Sequence, residues 1–139
     1  EQWLLMADNR IVTATIGKDL YRTEIKTSAH TLYSDEPADV GGEDSGPTPG
    51  DLLRMSLASC TAITLRMYAD RKKWNVEEIQ VMVSNERNQY KTTFQCNISV
   101  KGDIDEMQRM RLLEIAQACP VHKVLKNPIS IESEMTVNQ

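Results

Sequence analysis

Residues 48–72 have the sequence TPGDLLRMSLASCTAITLRMYADRK, and this stretch decides the fold class of the chain. The Thr48 hydroxyl can cap a helix, Pro49 suits the first helical position, and Asp51 can reach back to the cap. Apolar residues then recur on more than one side of the helix as far as Lys72. A helix that is apolar over most of its girth is buried on several sides. We predict a long central helix here, and its apolar girth indicates a dimer that covers it.

Strands are predicted on both sides of this helix. Before it, residues 10–16, 20–25 and 30–33 form three short runs that are rich in β-branched residues or alternate in polarity. After it, residues 76–83 and 90–101 alternate between apolar and polar side chains. The first three runs predict an antiparallel meander, and the later two predict a pair of longer strands.

Two shorter helices and a last strand complete the predicted order. Residues 105–118 have apolar side chains at helical spacing, Cys119-Pro120 interrupts them, and a short helix continues to about Lys126. Alternation over residues 129–137 predicts a final strand. The predicted order is βββ-α-ββ-αα-β, which is an α+β fold, and the length of 139 residues predicts a single domain over the whole chain.

Residues 35–50 contain three of the five prolines and four of the six glycines. This composition predicts a long loop between the third strand and the central helix. Loops of this length are uncommon in compact domains and are often functional. The loop is therefore either a plain surface connection or part of a functional site.

Composition and charge exclude several classes of function. No apolar run is long enough for a transmembrane helix, so we predict no membrane partner. A net charge of −4 and 5% aromatic residues disfavour nucleic-acid binding. The opening residues lack the pattern of a secretory signal, and three cysteines do not fit a secreted disulfide scaffold. We therefore expect a reducing, cytoplasmic location.

The three cysteines differ in their local setting. Cys96 shares a predicted strand face with Phe94 and Ile98, so we interpret it as a small core residue. Cys60 lies in the middle of the central helix and is either a buried small residue or a reactive thiol. The helix N-terminus is too distant to lower its pKa. A reactive Cys60 therefore needs a cation from elsewhere to stabilise its thiolate.

Cys119 has the setting that favours an acidic thiol. Pro120 suits the first position of the short helix, which makes Cys119 its N-cap residue. The free amides at a helix N-terminus favour a thiolate, and His122 follows one turn later. His122 is either a partner in proton transfer or a partly buried polar residue. From the residues alone, Cys119 is the more acidic of the two thiols.

Zinc binding is a further hypothesis for the same residues. Cys60, Cys119 and His122 are possible ligands, and Asp51 or His30 would have to supply the fourth. The two cysteines lie far apart in sequence, and the chain has no C-x-x-C motif. A structural zinc protein is therefore the third interpretation, behind the two that follow.

Several stretches carry a combined pattern that is more specific than any single residue. They are Asp35-Glu36-Pro37 with Gly41-Gly42, Gly46-Pro47-Thr48-Pro49, Asp51-Leu52-Leu53, residues 57–62 around Cys60, residues 67–74, and residues 118–125 around Cys119. Together they resemble the OsmC/Ohr family of osmotically inducible and organic hydroperoxide resistance proteins. The resemblance extends over nearly the whole chain.

The resemblance implies an OsmC-like fold in which two chains intertwine into a homodimer, with central helices inside, flanking sheets outside and active sites at the subunit interface. It also implies reduction of organic hydroperoxides, and less efficiently of hydrogen peroxide, without a metal or an organic cofactor. By this mapping Cys60 attacks the peroxide and becomes a sulfenic acid, and Cys119 resolves it to a disulfide. An external dithiol reductant protein then opens the disulfide.

The sequence departs from the best-studied members of that family at two positions. Those members have an arginine on the first hairpin turn and a glutamate ten residues before the first cysteine. Here the second position is Gly50, next to Asp51, and the turn position matches Lys18, with Arg22 as the nearest arginine. A lysine lacks the bidentate fork of arginine. We expect Arg22 or Lys18 to stabilise the thiolate, with Asp51 orienting that cation or, as we favour, only capping the helix.

Two functions therefore compete at the level of the sequence. The first is a thiol-dependent peroxidase that reduces small organic hydroperoxides in oxidative-stress defence through Cys60 and Cys119. The second is an OsmC-like binding or redox-responsive protein whose interface cleft holds a small apolar or thiol-reactive ligand with little turnover. The retained cysteine pair favours the first function, and the two departures favour the second.

Overall fold

The computed structural model describes residues 11–138, so Arg10, the predicted start of the first strand, lies outside the described residues. Within them, three short strands precede a long helix, and a strand pair and two shorter helices follow it, as predicted. The elements are β1 (Thr13–Thr15), β2 (Thr23–Lys26), β3 (Thr31–Ser34), α1 (Pro49–Arg71), β4 (Asn75–Arg87), β5 (Thr92–Asp103), α2 (Glu106–Ala116) and α3 (Pro120–Lys126).

The start of α1 is held by the capping interactions that the sequence predicts. The Asp51 backbone N–H donates to Thr48 Oγ1 at 3.0 Å, and the Thr48 N–H donates to Asp51 Oδ2 at 3.1 Å. These reciprocal bonds satisfy two backbone N–H groups at the N-terminus of α1. Pro49, at the first helical position, has no N–H group that would need a partner. The central helix therefore begins at the predicted residue.

The core lies between α1, α2 and the hairpin of β4 and β5. These two strands pair antiparallel, with Val81 opposite Ile98. Both α2 and α3 pack against α1, which itself packs on β4. The buried cluster consists of Leu65, Tyr68, Leu112, Ile115 and Ala116, with Trp74, Ile79, Ile98, Val100 and Ile104 packed against it.

One side of α1 is left uncovered by the single chain. Leu53, Met55, Ile63 and Met67 keep between 45% and 54% of their surface exposed. The sequence indicated burial on several sides, and this chain covers only the side that faces the core. In the described part of the chain, no helix is both long enough and apolar enough to cross a membrane.

The strands β1, β2 and β3 form a separate antiparallel sheet in that order. Ile25 lies opposite Leu32, and the close contacts of these strands are made within the sheet. Apolar side chains on and around it, such as Ile16 and Leu20, remain about half exposed. Like the outer side of α1, this sheet presents apolar surface that the single chain does not bury.

The loop between β3 and α1 is built around one buried carboxylate, Asp35. Its side chain accepts hydrogen bonds from the backbone N–H groups of Tyr21, Glu36 and Ser45, at 3.0, 2.7 and 3.0 Å. The Ser45 hydroxyl donates a fourth bond at 2.6 Å. The Asp35 N–H donates to the Pro47 carbonyl, just before α1. The loop is therefore an ordered connection that ties the start of β2 to the start of α1.

Two glycines of this loop, Gly42 and Gly46, are required by close backbone contacts. A Cβ atom on Gly42 would collide with the carbonyl oxygen of Glu36, and one on Gly46 would collide with that of Tyr33. The high glycine content that marked this stretch in the sequence thus reflects tight packing around Asp35.

The predicted final strand is not formed, and that part of the prediction is wrong for the single chain. Residues 129–138 have no regular secondary structure. Ile131, Met135 and Val137 are 85%, 90% and 78% exposed. Alternation specifies which side chains share a face, but a strand also needs a neighbour to pair with. No described strand of this chain pairs with the segment.

We predict that Asp35→Asn destabilises the fold at neutral pH. Hydrogen bonds hold the pKa of the Asp35 carboxyl well below its usual range, and the bond from the Ser45 hydroxyl has the largest effect. Each Asp35 oxygen accepts two hydrogen bonds, and an asparagine would replace one of these oxygens with an NH2 group. Two donors would then face another donor and lose their hydrogen bonds. Thermal unfolding at pH 7 should show a Tm lowered by several degrees.

The pH dependence of this difference follows from the lowered pKa. The stabilisation by Asp35 is present above the unfolded-state pKa of about 3.9 and is lost as the pH falls towards the lower folded-state value. The gap between wild type and Asp35→Asn should therefore shrink below about pH 4. Asp39→Asn, an exposed carboxylate in the same loop, is the control and should leave Tm unchanged. Equal melting of all three proteins at pH 7 would contradict the role of Asp35.

Candidate active site

The structure brings Cys60 and Cys119 together, although 58 residues separate them in the sequence. Cys60 lies in the middle of α1 and is partly exposed, and Cys119 is the fully buried N-cap residue of α3. Packing of α3 against α1 places the two thiols in hydrogen-bonding contact. Neither is in a disulfide. Two thiols in contact can form a disulfide when one of them is oxidised to a sulfenic acid.

The pKa of the Cys60 thiol is raised, and its surroundings act in both directions. Burial raises the pKa most, and the hydrogen bond and charge interaction with Cys119 raise it further. The backbone N–H of Val121 and the hydroxyl of Thr64 lower it by hydrogen bonding to the sulfur. The single chain thus supplies two donors for a Cys60 thiolate, but their effect is smaller than the cost of burial.

The free amide of α3 acts on Cys60 and not on Cys119. Cys119 is the N-cap residue before Pro120, as predicted, but its side chain makes no capping hydrogen bond. The amide of Val121, in the first turn of α3, bonds to Cys60 instead. The sequence predicts that the amides in the first turn of α3 bond to Cys119, their neighbour along the chain. The packing of α3 on α1 directs the donor to the other sulfur.

An apolar groove of about 380 Å³ opens beside Cys60. It runs along the exposed side of α1 and is closed on one side by the first turn of α3. Its lining consists of Ser56, Ser59, Cys60, Ile63, Thr64, Met67, Pro120 and Val121. A small apolar molecule that enters this groove would meet the Cys60 sulfur and the Thr64 hydroxyl together.

His122 points to a different surface from the cysteine pair. It lines a hollow with Gln117, Lys123 and Lys126. Burial lowers the pKa of His122, and the positive charge of Lys126 lowers it further. Of the two interpretations of His122, the structure favours the partly buried polar residue.

Asp51 caps the helix, and its cationic partner is one that sequence reasoning missed. Arg54 Nη2 lies 2.9 Å from Asp51 Oδ1, and Arg54 Nη1 donates to Asn85 Oδ1 at 2.7 Å. These bonds to Arg54 and Thr48 lower the pKa of Asp51. An Asp followed three residues later by an Arg on a helix is a recognisable ion-pair spacing, so this contact was detectable in the sequence.

The two candidate cations, Lys18 and Arg22, lie between β1 and β2 in the first hairpin of the chain, and they do not reach Cys60 within the single chain. Arg22 lies with its guanidinium 4.1 Å from the centre of the Tyr33 ring, and both Arg22 and Lys18 are exposed. The groups that shift the pKa of Cys60 are Cys119, Val121 and Thr64. A cation for the thiolate therefore has to come from outside these intrachain contacts.

The prediction that Cys96 is a buried core residue is wrong. Cys96 is exposed on β5, whereas Ile98 and Val100 on the same face pack against the core. The strand continues beyond the part that α1 and α2 cover, so its alternating pattern extends past the edge of the core.

A zinc site has no support in the described residues. Between residues 11 and 138, no three His, Cys, Asp or Glu side chains come close enough to hold a metal ion. Asp51 is bonded to Thr48 and Arg54, and His122 lines a different hollow from the thiols.

The fold and the cysteine pair define a class of α+β protein in which a central-helix thiol meets a second thiol at the start of a later helix. The model of the OsmC-like protein family matches residues 42–134. The chain belongs to this family, as its sequence motifs predicted. No curated protein sequence matches it.

Solved structures share the fold at low sequence identity. An OsmC-like protein from Mycoplasma pneumoniae has a TM-score of 0.74 and 17% identity, over 87% of this chain and 89% of that one. An organic hydroperoxide resistance protein from Elizabethkingia anophelis has a TM-score of 0.66 and 18% identity, over 88% and 91%. An organic hydroperoxide resistance protein OsmC from Legionella pneumophila has a TM-score of 0.61 and 20% identity, over 87% and 91%. These similarities confirm the OsmC-like α+β fold.

We predict that Thr64→Val raises the pKa of Cys60 further. The substitution keeps the shape of the side chain and removes a hydroxyl that lowers this pKa. A hydrogen bond contributes about 0.5–1.5 kcal/mol, so the alkylation profile of Cys60 should move measurably to higher pH. The pH dependence of alkylation at Cys60 by iodoacetamide, read site by site by mass spectrometry, measures the shift.

Thr61→Val is the matched control for this measurement. Thr61 is equally buried in α1, and it is not among the groups that shift the pKa of Cys60. Its alkylation profile should coincide with that of the wild type. Coincidence of the Thr64→Val profile with the wild-type one would show that the hydroxyl does not act on the thiolate.

Proposed function

We propose that the protein is a cysteine-based peroxidase that reduces organic hydroperoxides. The observation that supports this most directly is the contact between Cys60 and Cys119 at the side of an apolar groove. Membership of the OsmC-like family and structural similarity to organic hydroperoxide resistance proteins support the same function. The groove is apolar, which favours an alkyl or aryl hydroperoxide over hydrogen peroxide as substrate.

The reaction uses only the two thiols and an external reductant. The Cys60 thiolate attacks the terminal oxygen of the hydroperoxide, the O–O bond breaks, and the alcohol leaves after taking up a proton. Cys60 is then a sulfenic acid. Cys119 attacks its sulfur, water leaves, and a Cys60–Cys119 disulfide forms. A dithiol reductant protein returns both residues to thiols and is itself oxidised to a disulfide.

Buried Cys119 makes a suitable resolving thiol. Because it already contacts Cys60, the sulfenic acid has a partner before a second peroxide molecule can reach it. Its full burial keeps it away from peroxide in solution. Cys60 is the partly exposed member of the pair and lines the groove. These positions support Cys60 as the attacking thiol and Cys119 as the resolving one.

The active form requires a cation that lowers the pKa of Cys60, and we propose that a homodimer provides it. The uncovered side of α1, the β1–β3 sheet and the segment 129–138 each expose several large apolar side chains, and exposed apolar patches mark interaction surfaces. Pairing of two chains along these surfaces would cover them and would bring the hairpin that carries Lys18 and Arg22 towards a thiol pair. Light scattering should give twice the mass of one chain.

A binding protein with little turnover is the second candidate. The raised pKa of Cys60 and the distance of both hairpin cations from it in the single chain favour this alternative. The groove would then hold a small apolar or thiol-reactive ligand, and Cys60 would anchor it. The two candidates differ in whether Cys60 is oxidised at a modest excess of hydroperoxide.

Titration of the reduced protein with cumene hydroperoxide, followed by intact mass, tests the proposal. The wild type should lose two hydrogens as the disulfide forms. Cys119→Ser should gain one oxygen on Cys60, because the sulfenic acid has no resolving partner. Cys60→Ser should remain unmodified at the same dose. An unchanged wild-type mass at modest excess would contradict the peroxidase and favour the binding protein.

We also predict that removing the hairpin charge slows the peroxide step. Arg22→Met or Lys18→Met should reduce the second-order rate of Cys60 oxidation about tenfold for the cation that acts, since a loss of about 1.4 kcal/mol in the transition state corresponds to that factor. Lys91→Met removes an exposed charge from the turn between β4 and β5 and is the control. Wild-type rates in both hairpin variants would exclude these residues from the site.

A further inference from the structure

Cys96 is the third thiol of the chain, and the proposed peroxidase reaction leaves it unused. It lies on β5 opposite Val83 of β4 and is exposed. Its strand face is the one on which Ile98 and Val100 pack against the core. The side chain of Cys96 therefore lies on the helix-facing side of the hairpin, at the point where the helices cease to cover it.

The geometry of β5 and α2 brings Cys96 towards Cys119. The strand leads through Asp103 to α2, and the helix returns along the strand face. A cavity of about 330 Å³ between them is lined by Val100 and Ile98 from β5 and by Arg109, Leu112 and Leu113 from α2, among others.

The rise per residue along β5 and α2 indicates which part of α2 lies beside Cys96. Two strand residues span about 6.6 Å, which is the rise of about four helical residues. Moving from Ile98 to Cys96 therefore corresponds to moving from Leu112 to Ala116, three residues before Cys119. Desolvation of the part of the Cys96 side chain that the chain covers raises its pKa most, and the charge of Cys119 raises it further, which agrees with this proximity.

The exposure of the three sulfurs differs in a way that matters for re-reduction. Cys119 is fully buried, Cys60 is partly exposed in a groove, and Cys96 is exposed. Disulfide exchange requires the attacking thiolate to reach one sulfur of the bond. A reductant protein would have poor access to a disulfide between Cys60 and Cys119, but it would have access to one that includes Cys96.

We propose that Cys96 is a relay thiol that carries the disulfide from the Cys60–Cys119 pair to the surface. This inference rests on the peroxidase reaction proposed above. The Cys96 thiolate attacks the Cys119 sulfur, the Cys60–Cys119 bond breaks, and Cys60 leaves as a thiolate that takes up the proton which Cys96 lost. No electrons are gained or lost in this exchange. The dithiol reductant then attacks the exposed Cys96 sulfur and reduces the Cys96–Cys119 disulfide to two thiols.

The surroundings of the three thiols suit this exchange. The Val121 N–H and the Thr64 hydroxyl bond to Cys60 and stabilise it as the leaving thiolate. Cys119 lies in the short connection between α2 and α3, where its backbone N–H bonds to the Ala116 carbonyl and its own carbonyl accepts from the Lys123 N–H. The exchange also frees Cys60 before the reductant arrives.

Disulfide mapping of the wild type tests the relay without any substitution. The reduced protein is treated with one equivalent of cumene hydroperoxide, blocked with N-ethylmaleimide at successive times, digested and analysed by mass spectrometry. The Cys60–Cys119 disulfide should appear first, and a Cys96–Cys119 disulfide within one chain should grow as it declines. Dimer-sized products on non-reducing electrophoresis that carry the Cys96 link would overturn the intrachain relay.

Cys96→Ser provides the kinetic test, and its exposed position makes the substitution compatible with folding. The rate of oxidation by cumene hydroperoxide should equal that of the wild type, whereas re-reduction of the disulfide by a thioredoxin should slow about tenfold or more. Re-reduction by dithiothreitol, a small reductant that can enter the groove, should slow less. Ser99→Ala, on the opposite face of β5, is the control and should behave as the wild type in all three assays.

The outcomes separate the relay from the function on which it rests. A Cys60–Cys119 disulfide that forms normally, never passes to Cys96 and is reduced at equal rates in both proteins would overturn the relay alone. A protein in which hydroperoxide leaves Cys60 unmodified would overturn the peroxidase, and the relay with it.

Discussion

The packing of α3 against the middle of α1 is the contact on which the site depends. It joins Cys60 to Cys119, turns the Val121 amide towards the Cys60 sulfur, and closes one side of the apolar groove. All three features come from a short helix whose own capping position is occupied by a cysteine that makes no capping bond. α3 packs against α1, and it supplies the Val121 amide and the Cys119 thiol that contact the Cys60 sulfur.

Burial and reactivity oppose each other at Cys60. A thiol within a helix interface is protected from stray oxidants, but the same desolvation raises its pKa and disfavours the thiolate that reacts. Two hydrogen-bond donors offset part of this cost within one chain. In the proposed peroxidase a cation supplies the remainder, and we propose that the hairpin turn between β1 and β2, which carries Lys18 and Arg22, brings it from a second copy of the chain.

Asp35 connects that hairpin to the central helix. Its carboxylate holds the amide of Tyr21, next to Arg22, while its own amide bonds to Pro47 immediately before α1. Through these bonds the loop between β3 and α1 links the segment that carries Arg22 to the start of the helix that carries Cys60. Composition left this loop as either a plain connection or part of a functional site. The structure shows an ordered loop whose backbone is hydrogen-bonded around the buried Asp35 carboxylate.

Local sequence patterns were enough to predict the helix start at Thr48 and Asp51, the order of the strands and helices up to Lys126, and the family. Caps, periodicity and motifs depend on residues a few positions apart. Tertiary structure alone decided which sulfur receives the Val121 amide, that Cys96 is exposed, and that residues 129–138 lack a strand partner within the chain. These features depend on contacts between residues distant in sequence. The local pattern of a strand such as β5 does not show how much of its face the helices will cover. The pair of Asp51 with Arg54 lies between the two cases, since its spacing is local but Asn85 completes it from β4.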